Sequence, residues 1–242
     1  MRNPFQQWTI ALLMALFVSV GANLRAYDEV AVEHGGSISG VVIYDGAPPE
    51  RKKLDVKAPC ENHEALSEDL IVTKAKEKEQ NVLVNAVVSI VEIKKGKAFS
   101  KDVPAIDQKG CVFKPHVVVM PAEGTLTIQN SDEVIHNVHT TPELNRETND
   151  SVSPKGKTSK KFDEPERIPV RCDVHTWMRA WIVVAGNPYF HVTGEDGTFK
   201  LDQVPPGKYT INVWHEKLGE QKKEVTVEAG ADARVEFTFK GK

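Results

Sequence analysis

Cys172-Asp173-Val174-His175-Thr176-Trp177-Met178 is the stretch on which the reading of this chain turns. It packs a thiol, an imidazole and a thioether into one short segment, and the strand-like residues 181–184 follow it. Upstream lies Ile135-His136-Asn137-Val138-His139, with two more imidazoles. A thiolate, two imidazoles and a thioether suit a mononuclear type 1 copper site. Soft sulfur stabilises Cu(I), imidazole serves both oxidation states, and a weak axial thioether tunes the couple. Such a metal would also hold Cys172 as thiolate. On residue type alone, His136 and His139 compete for the first imidazole position.

Working outward, nearly every segment reads as strand. Residues 37–44 stop at Asp45-Gly46, and residues 82–93 are rich in Val and Ile. Residues 117–120 and 125–129 are further short runs. Near the C-terminus, residues 198–201, 209–214, 225–227 and 234–239 are separated by Asp196-Gly197, Pro205-Pro206-Gly207 and Ala229-Gly230. Gly supplies positive φ and Pro fixes φ where a chain reverses. Many short strands between frequent turn signals predict β-sandwiches. The one helix expected is at residues 59–78.

The chain has 242 residues, with 31 Lys+Arg against 34 Asp+Glu. That balance argues against a nucleic-acid partner, which a clear basic excess would mark. Residues 1–26 read as a secretory signal: Arg2, then the apolar run 10–20, too short for a spanning helix, then small-residue cleavage sites after Ala22 or Ala26. The expectation is a periplasmic or secreted protein with no membrane span after cleavage, in a compartment where disulfides persist. The chain has 3 Cys, so one is left without a partner.

The copper-type stretch resembles the cupredoxins, blue copper domains of the amicyanin and plastocyanin kind. The resemblance covers residues 100–187. It rests on Gln108-Lys109-Gly110-Cys111-Val112-Phe113-Lys114-Pro115 and Gly124, on residues 130–139, on the Cys-x-x-His-x-x-Met spacing, and on Arg179 with residues 181–184. It implies a Greek-key β-sandwich and a single type 1 copper held by His136, Cys172, His175 and Met178. It also implies that Asn137 ties the two ligand loops together, and that the ring edge of His175 is exposed for electron transfer. Val174 and Thr176 stand where amicyanin-type loops carry prolines. Trp177 reads equally as a residue at the copper face or as a core aromatic.

The same resemblance argues against catalysis. Multicopper oxidases flank the copper Cys with His on both sides, whereas here Arg171 and Asp173 flank it. A binuclear centre would need two Cys in the loop. With Cys172 assigned to metal, Cys60 and Cys111 are expected to form a disulfide. The alternatives are free thiols or a second metal site of Cys60, His63, Cys111 and His116.

Residues 191–242 resemble the carboxypeptidase regulatory-like, transthyretin-like domain, through Val192-Thr193-Gly194-Glu195-Asp196-Gly197-Thr198-Phe199 and Val204-Pro205-Pro206-Gly207-Lys208-Tyr209-Thr210. Its opening Gly-x-Ile-x-Gly-x-Val strand occurs far upstream, at Gly36-Ser37-Ile38-Ser39-Gly40-Val41-Val42. The expected organisation is therefore all-β. A signal covers 1–26, early transthyretin-like strands 27–99 with an insert at 57–80, an inserted cupredoxin 100–187, and the remaining Ig-like strands 188–242. Residues 82–93 alternatively open the cupredoxin, which leaves the boundary open near 80–105. His215 and Glu216 either line a groove or sit at an exposed loop end.

The expected function is shuttling single electrons between redox proteins such as a cytochrome, a dehydrogenase or an oxidase. Lys155, Lys157, Lys160, Lys161 and Arg171 would steer an acidic partner or simply be solvated. The alternatives are copper storage, delivery or sensing without electron transfer, and a structural or carbohydrate-binding module.

Overall fold

A computed structural model describes residues 27–75 and 79–241. The expected signal segment and residues 76–78 of the insert lie outside the described residues. The chain opens with β1 (Asp28–Glu29), β2 (Gly36–Asp45), β3 (Val72–Lys74), β4 (Asn81–Leu83), β5 (Val87–Ile90) and β6 (Lys95–Gly96). The middle supplies β7 (Ala105–Gln108), β8 (Phe113–Lys114), β9 (Val117–Pro121), β10 (Gly124–Asn130) and β11 (His136–Thr140). It continues with β12 (Thr148–Val152), β13 (Lys157–Phe162), β14 (Arg167–Arg171) and β15 (Arg179–Ala185). The last stretch gives β16 (Phe190–Val192), β17 (Thr198–Val204), β18 (Gly207–His215), β19 (Gly219–Val227) and β20 (Asp232–Lys240).

Two β-sandwiches result. The middle one pairs the sheet β13-β10-β7-β8 with the sheet β12-β11-β14-β15-β9. The flanking one uses strands from both chain ends. One of its sheets runs β16-β5-β18-β19, and the other runs β17-β2-β4-β3 with β20 also on β2. Alternation builds each core. On β10, Leu126, Ile128 and Asn130 point inward while their neighbours are less buried. On β15, Ala180, Ile182 and Val184 enter the middle core. The residues between them, Trp181 and Val183, pack outward at the junction with Val87, Val117 and Trp214. The Trp181 and Trp214 rings meet edge-on at 4.9 Å.

Gly40 explains the glycine pattern of β2. A Cβ there would lie 1.7 Å from the Val235 carbonyl oxygen. Only glycine lets β20 run parallel to β2 at this point.

Two expectations are corrected. No helix forms in the described part of 59–78, nor anywhere else among the described residues. That segment has no apolar stripe of helical period, since Leu66 is 44% exposed while Ala65 is buried. It turns back on itself instead. Leu54 N–H donates to Ala65 O, Ser67 N–H donates to Lys52 O, and Lys53 bridges Leu66. Residues 52–67 thus form a two-armed loop. The apolar run 82–93 is also not one strand. Asn85 adopts φ 62°, the left-handed region that Asn tolerates. There the chain turns a corner, so β4 pairs with β2 while β5 pairs with β16 and β18. Both pieces lie in the flanking sandwich, so they do not open the middle one.

Candidate metal centre

β14 and β15 are antiparallel neighbours with Arg171 opposite Arg179. Residues 172–178 are therefore a tight connection, closed by Cys172 N–H to Met178 O at 3.2 Å and Met178 N–H to His175 O at 2.9 Å. β11 lies beside β14 with His139 opposite Arg171. This register carries His136, at the start of β11, to the same end of the sandwich.

The expected ligand residues converge there. One ligand atom each from His136, Cys172 and His175 lies within 4.8 Å of the others, and all three residues are buried. The Nδ1 atoms of His136 and His175 face each other at 2.8 Å. Cys172 Sγ lies 3.7 Å from His175 Nδ1. Met178 is fully buried in the same core cluster as Cys172.

The surroundings fix the donors. Asp132 Oδ2 lies 3.0 Å from His136 Nε2, which leaves Nδ1 of that ring facing the other donors. Asp132 also accepts the N–H groups of Gly110 and Cys111 at 2.7 and 2.8 Å. Burial pushes the Asp132 carboxyl up, but these bonds together outweigh it and hold it below its usual range. Cys172 Sγ accepts N–H groups from His175 and Asn137 at 3.4 and 3.5 Å. Asn137 Oδ1 accepts from Asp173 N–H at 2.7 Å and from Cys172 Sγ at 3.1 Å. Its Nδ2 donates to Asn149 Oδ1 at 2.5 Å. Asn137 therefore links β11 to the Cys172 loop.

His139, the competing imidazole, is turned to other work. Its Nδ1 lies 2.7 Å from Asp173 and its Nε2 2.8 Å from Glu147. Burial raises the Asp173 carboxyl, but hydrogen bonds from His139, Asn149 and Arg171 overcome this and hold it at about 2.

His175 departs from the expected exposed ring edge. It is 2% exposed. Its Nε2 is buried and has no hydrogen-bond partner. Burial, then the charge of His136, lowers its tendency to protonate. Trp177 packs against it, with ring centroids 5.2 Å apart, and donates Nε1–H to Cys111 O at 3.0 Å. Trp177 is thus at the metal-residue end of the sandwich, partly packed on the core.

Cys60 and Cys111 are joined by a disulfide. It links the 52–67 loop to the segment that supports Asp132 and Trp177. The alternative metal set of Cys60, His63, Cys111 and His116 is dissolved by that bond, and His116 is hydrogen-bonded to Glu216. His215 and Glu216 are not an exposed loop end. His215 is buried, which depresses its pKa to about 4. The basic set is largely neutralised: Lys155 pairs with Glu133, Lys160 with Asp150, Lys161 with Asp163 and Arg171 with Asp173. Sequence reasoning assigned no role to Asp132, although its place four residues before His136 was the available signal.

The donor chemistry fits copper. A buried cysteine outside the disulfide and two imidazole nitrogens converge, with His136 oriented through its far nitrogen.

Residues 180–240 match the model of the carboxypeptidase regulatory-like domain, spanning the end of the middle sandwich and β16 to β20. No curated protein matches the chain. Among solved structures, it is similar to a purple cupredoxin from Nitrosopumilus maritimus, at 18% identity and TM-score 0.30, over 34% of this chain and 99% of that one. It is similar to amicyanin from Paracoccus versutus at 16% identity and TM-score 0.32, over 40% of this chain and 97% of that one. A Cu-containing nitrite reductase from Thermus scotoductus is similar at 18% identity and TM-score 0.33, over 40% of this chain and 25% of that one.

Proposed function

We propose that this chain is an exported, cupredoxin-like protein that holds one type 1 copper between His136, Cys172, His175 and Met178 and passes single electrons between redox proteins. The observation that carries the reading is the convergence of one buried sulfur and two imidazole Nδ1 atoms at one end of a rigid sandwich. Bound copper would supply a one-electron couple. The protein's part is to hold the donors still: Asp132 orients His136, two backbone N–H groups point at the sulfur, Asn137 ties its loop to β11, and strand pairing fixes the loop. The disulfide and the signal-like residues 1–26 support a periplasmic or secreted location. A cytochrome, dehydrogenase or oxidase is the partner class. Arg171 and Asp173, rather than histidines, flank Cys172, which supports a carrier rather than an oxidase.

The test is reconstitution with Cu(II). Expected are an intense visible thiolate-to-copper absorption and a type 1 paramagnetic resonance spectrum, both lost in Cys172→Ser. A colourless reconstituted protein refutes the reading.

One observation favours a second reading, copper retention without rapid electron transfer. The burial of His175 Nε2 removes the exposed ring edge through which a partner would couple. Slow electron self-exchange by a protein with a good blue spectrum would select this reading.

A further inference from the structure

Trp177 separates His175 from a half-open cleft of about 480 Å³, a volume in the range of small-molecule sites. Three parts of the chain form it. The 52–67 loop and its continuation to Asp69 give one wall, and Trp177, Arg179 and Trp181 give another. The flanking sandwich contributes Glu216 and Lys217. A second groove, of about 640 Å³, touches none of the metal-centre residues.

The lining is both aromatic and selectively charged. Most of its ions are already matched: Lys217 with Asp69 at 2.8 Å, Asp55 with Lys57 at 3.2 Å, and Lys53 with Glu64 at 2.5 Å. Glu216 is hydrogen-bonded to the buried His116. Among the described residues, Lys52, Arg179 and Glu68 line the cleft without an ion-pair partner. Lys52 and Arg179 are thus the cations of the cleft left free for a ligand, beside two indole rings. Indole faces favour a flat π-system. A guanidinium favours a planar carboxylate, which it can grip with paired N–H donors.

We propose that this cleft binds a small aromatic carboxylate, with its ring against Trp177 and Trp181 and its carboxylate on Arg179 and Lys52. The site stands on the cleft residues alone and does not require copper. A ligand there would still reach the metal centre, because the Trp177 ring it touches packs on His175.

The experiment is calorimetric titration of the metal-free full chain with 4-hydroxybenzoate, followed in parallel by tryptophan fluorescence. One saturable site is expected. Arg179→Gln and Lys52→Gln, both exposed and each confirmed folded by near-ultraviolet circular dichroism, should each weaken it about tenfold or more. Benzyl alcohol should bind more weakly by a similar factor, and acetate should not compete. Absence of saturable binding at millimolar probe overturns the proposal. So does unchanged affinity in folded Arg179→Gln, or competition by acetate as effective as that by 4-hydroxybenzoate. Because the titration uses metal-free protein, its outcome is separate from that of copper reconstitution.

Discussion

The Asp132 carboxylate lies 3.0 Å from Nε2 of His136, and the same group receives the N–H of the disulfide-bonded Cys111. One carboxylate therefore sets the ring of His136, a proposed copper ligand, and anchors the segment that the disulfide holds. Removing such a support from a ligand histidine costs about 10–100-fold in metal affinity. Asp132→Ala should show a loss of that size in a chelator competition assay. Asp132→Asn, which keeps an acceptor oxygen, should lose less.

Asn137 predicts a stability effect independent of metal. Its Oδ1 is the acceptor for the Asp173 N–H at 2.7 Å, next to a buried sulfur. Leaving such groups unpaired costs about 1–3 kcal/mol. Urea unfolding of the metal-free Asn137→Ala protein should fall by that amount with an unchanged denaturant slope. A null shift would mean that water replaces the amide at no cost.

The disulfide joins residues 51 apart in sequence. Constraining a loop of this length in the unfolded chain contributes about 4 kcal/mol in the chain-entropy description. The double variant Cys60→Ser, Cys111→Ser should lose stability of that order by chemical denaturation. It should also shift tryptophan fluorescence, since the Trp177 Nε1–H bond ends on Cys111 O.

His215 predicts an acid sensitivity. Burial depresses its folded pKa to about 4, below the ordinary imidazole value of 6.5. Between these values the unfolded chain binds a proton that the folded chain refuses. The neutral ring's contribution is therefore complete above pH 6.5, drains away as pH falls toward 4, and changes no further below that. The total is roughly 3 kcal/mol. Unfolding measured at pH 7 and at pH 4.5 should show a smaller difference in His215→Gln than in the wild type. Equal differences in the two proteins would remove His215 as the cause.

The strands and the candidate donor residues were legible because both depend on local chemistry. Alternation on β10 and β15 is visible in Leu126 and Ile128 or in Ile182 and Val184, and turn glycines need only their own φ. The donor set was legible because thiol, imidazole and thioether share so few uses. Long-range geometry was hidden. Nothing local shows that Asn85 turns a corner, that His175 lies under a neighbouring indole, or that Glu216 reaches His116, a hundred positions away in the chain. His139 shows the same limit: its type suited a ligand, and only the placement of Asp173 and Glu147 decided its role. Residues 59–78 misled because scattered Leu and Glu suit a helix by propensity, while a disulfide and a turned-back loop determine the outcome.

Ser89 on β5 pairs with Phe190 on β16, and the Ala86 N–H donates to Thr193 Oγ1 across 107 residues of chain. This spacing imposes an order on biosynthesis. A chain made from its N-terminus presents β2, β4 and β5 long before β16 to β20 exist. The middle sandwich has all its strands in one continuous stretch and is complete first. Until the C-terminus arrives, β2 and β5 carry open edges able to pair with another molecule. Truncation near the C-terminus would thus leave a finished middle sandwich attached to an adhesive, half-built neighbour.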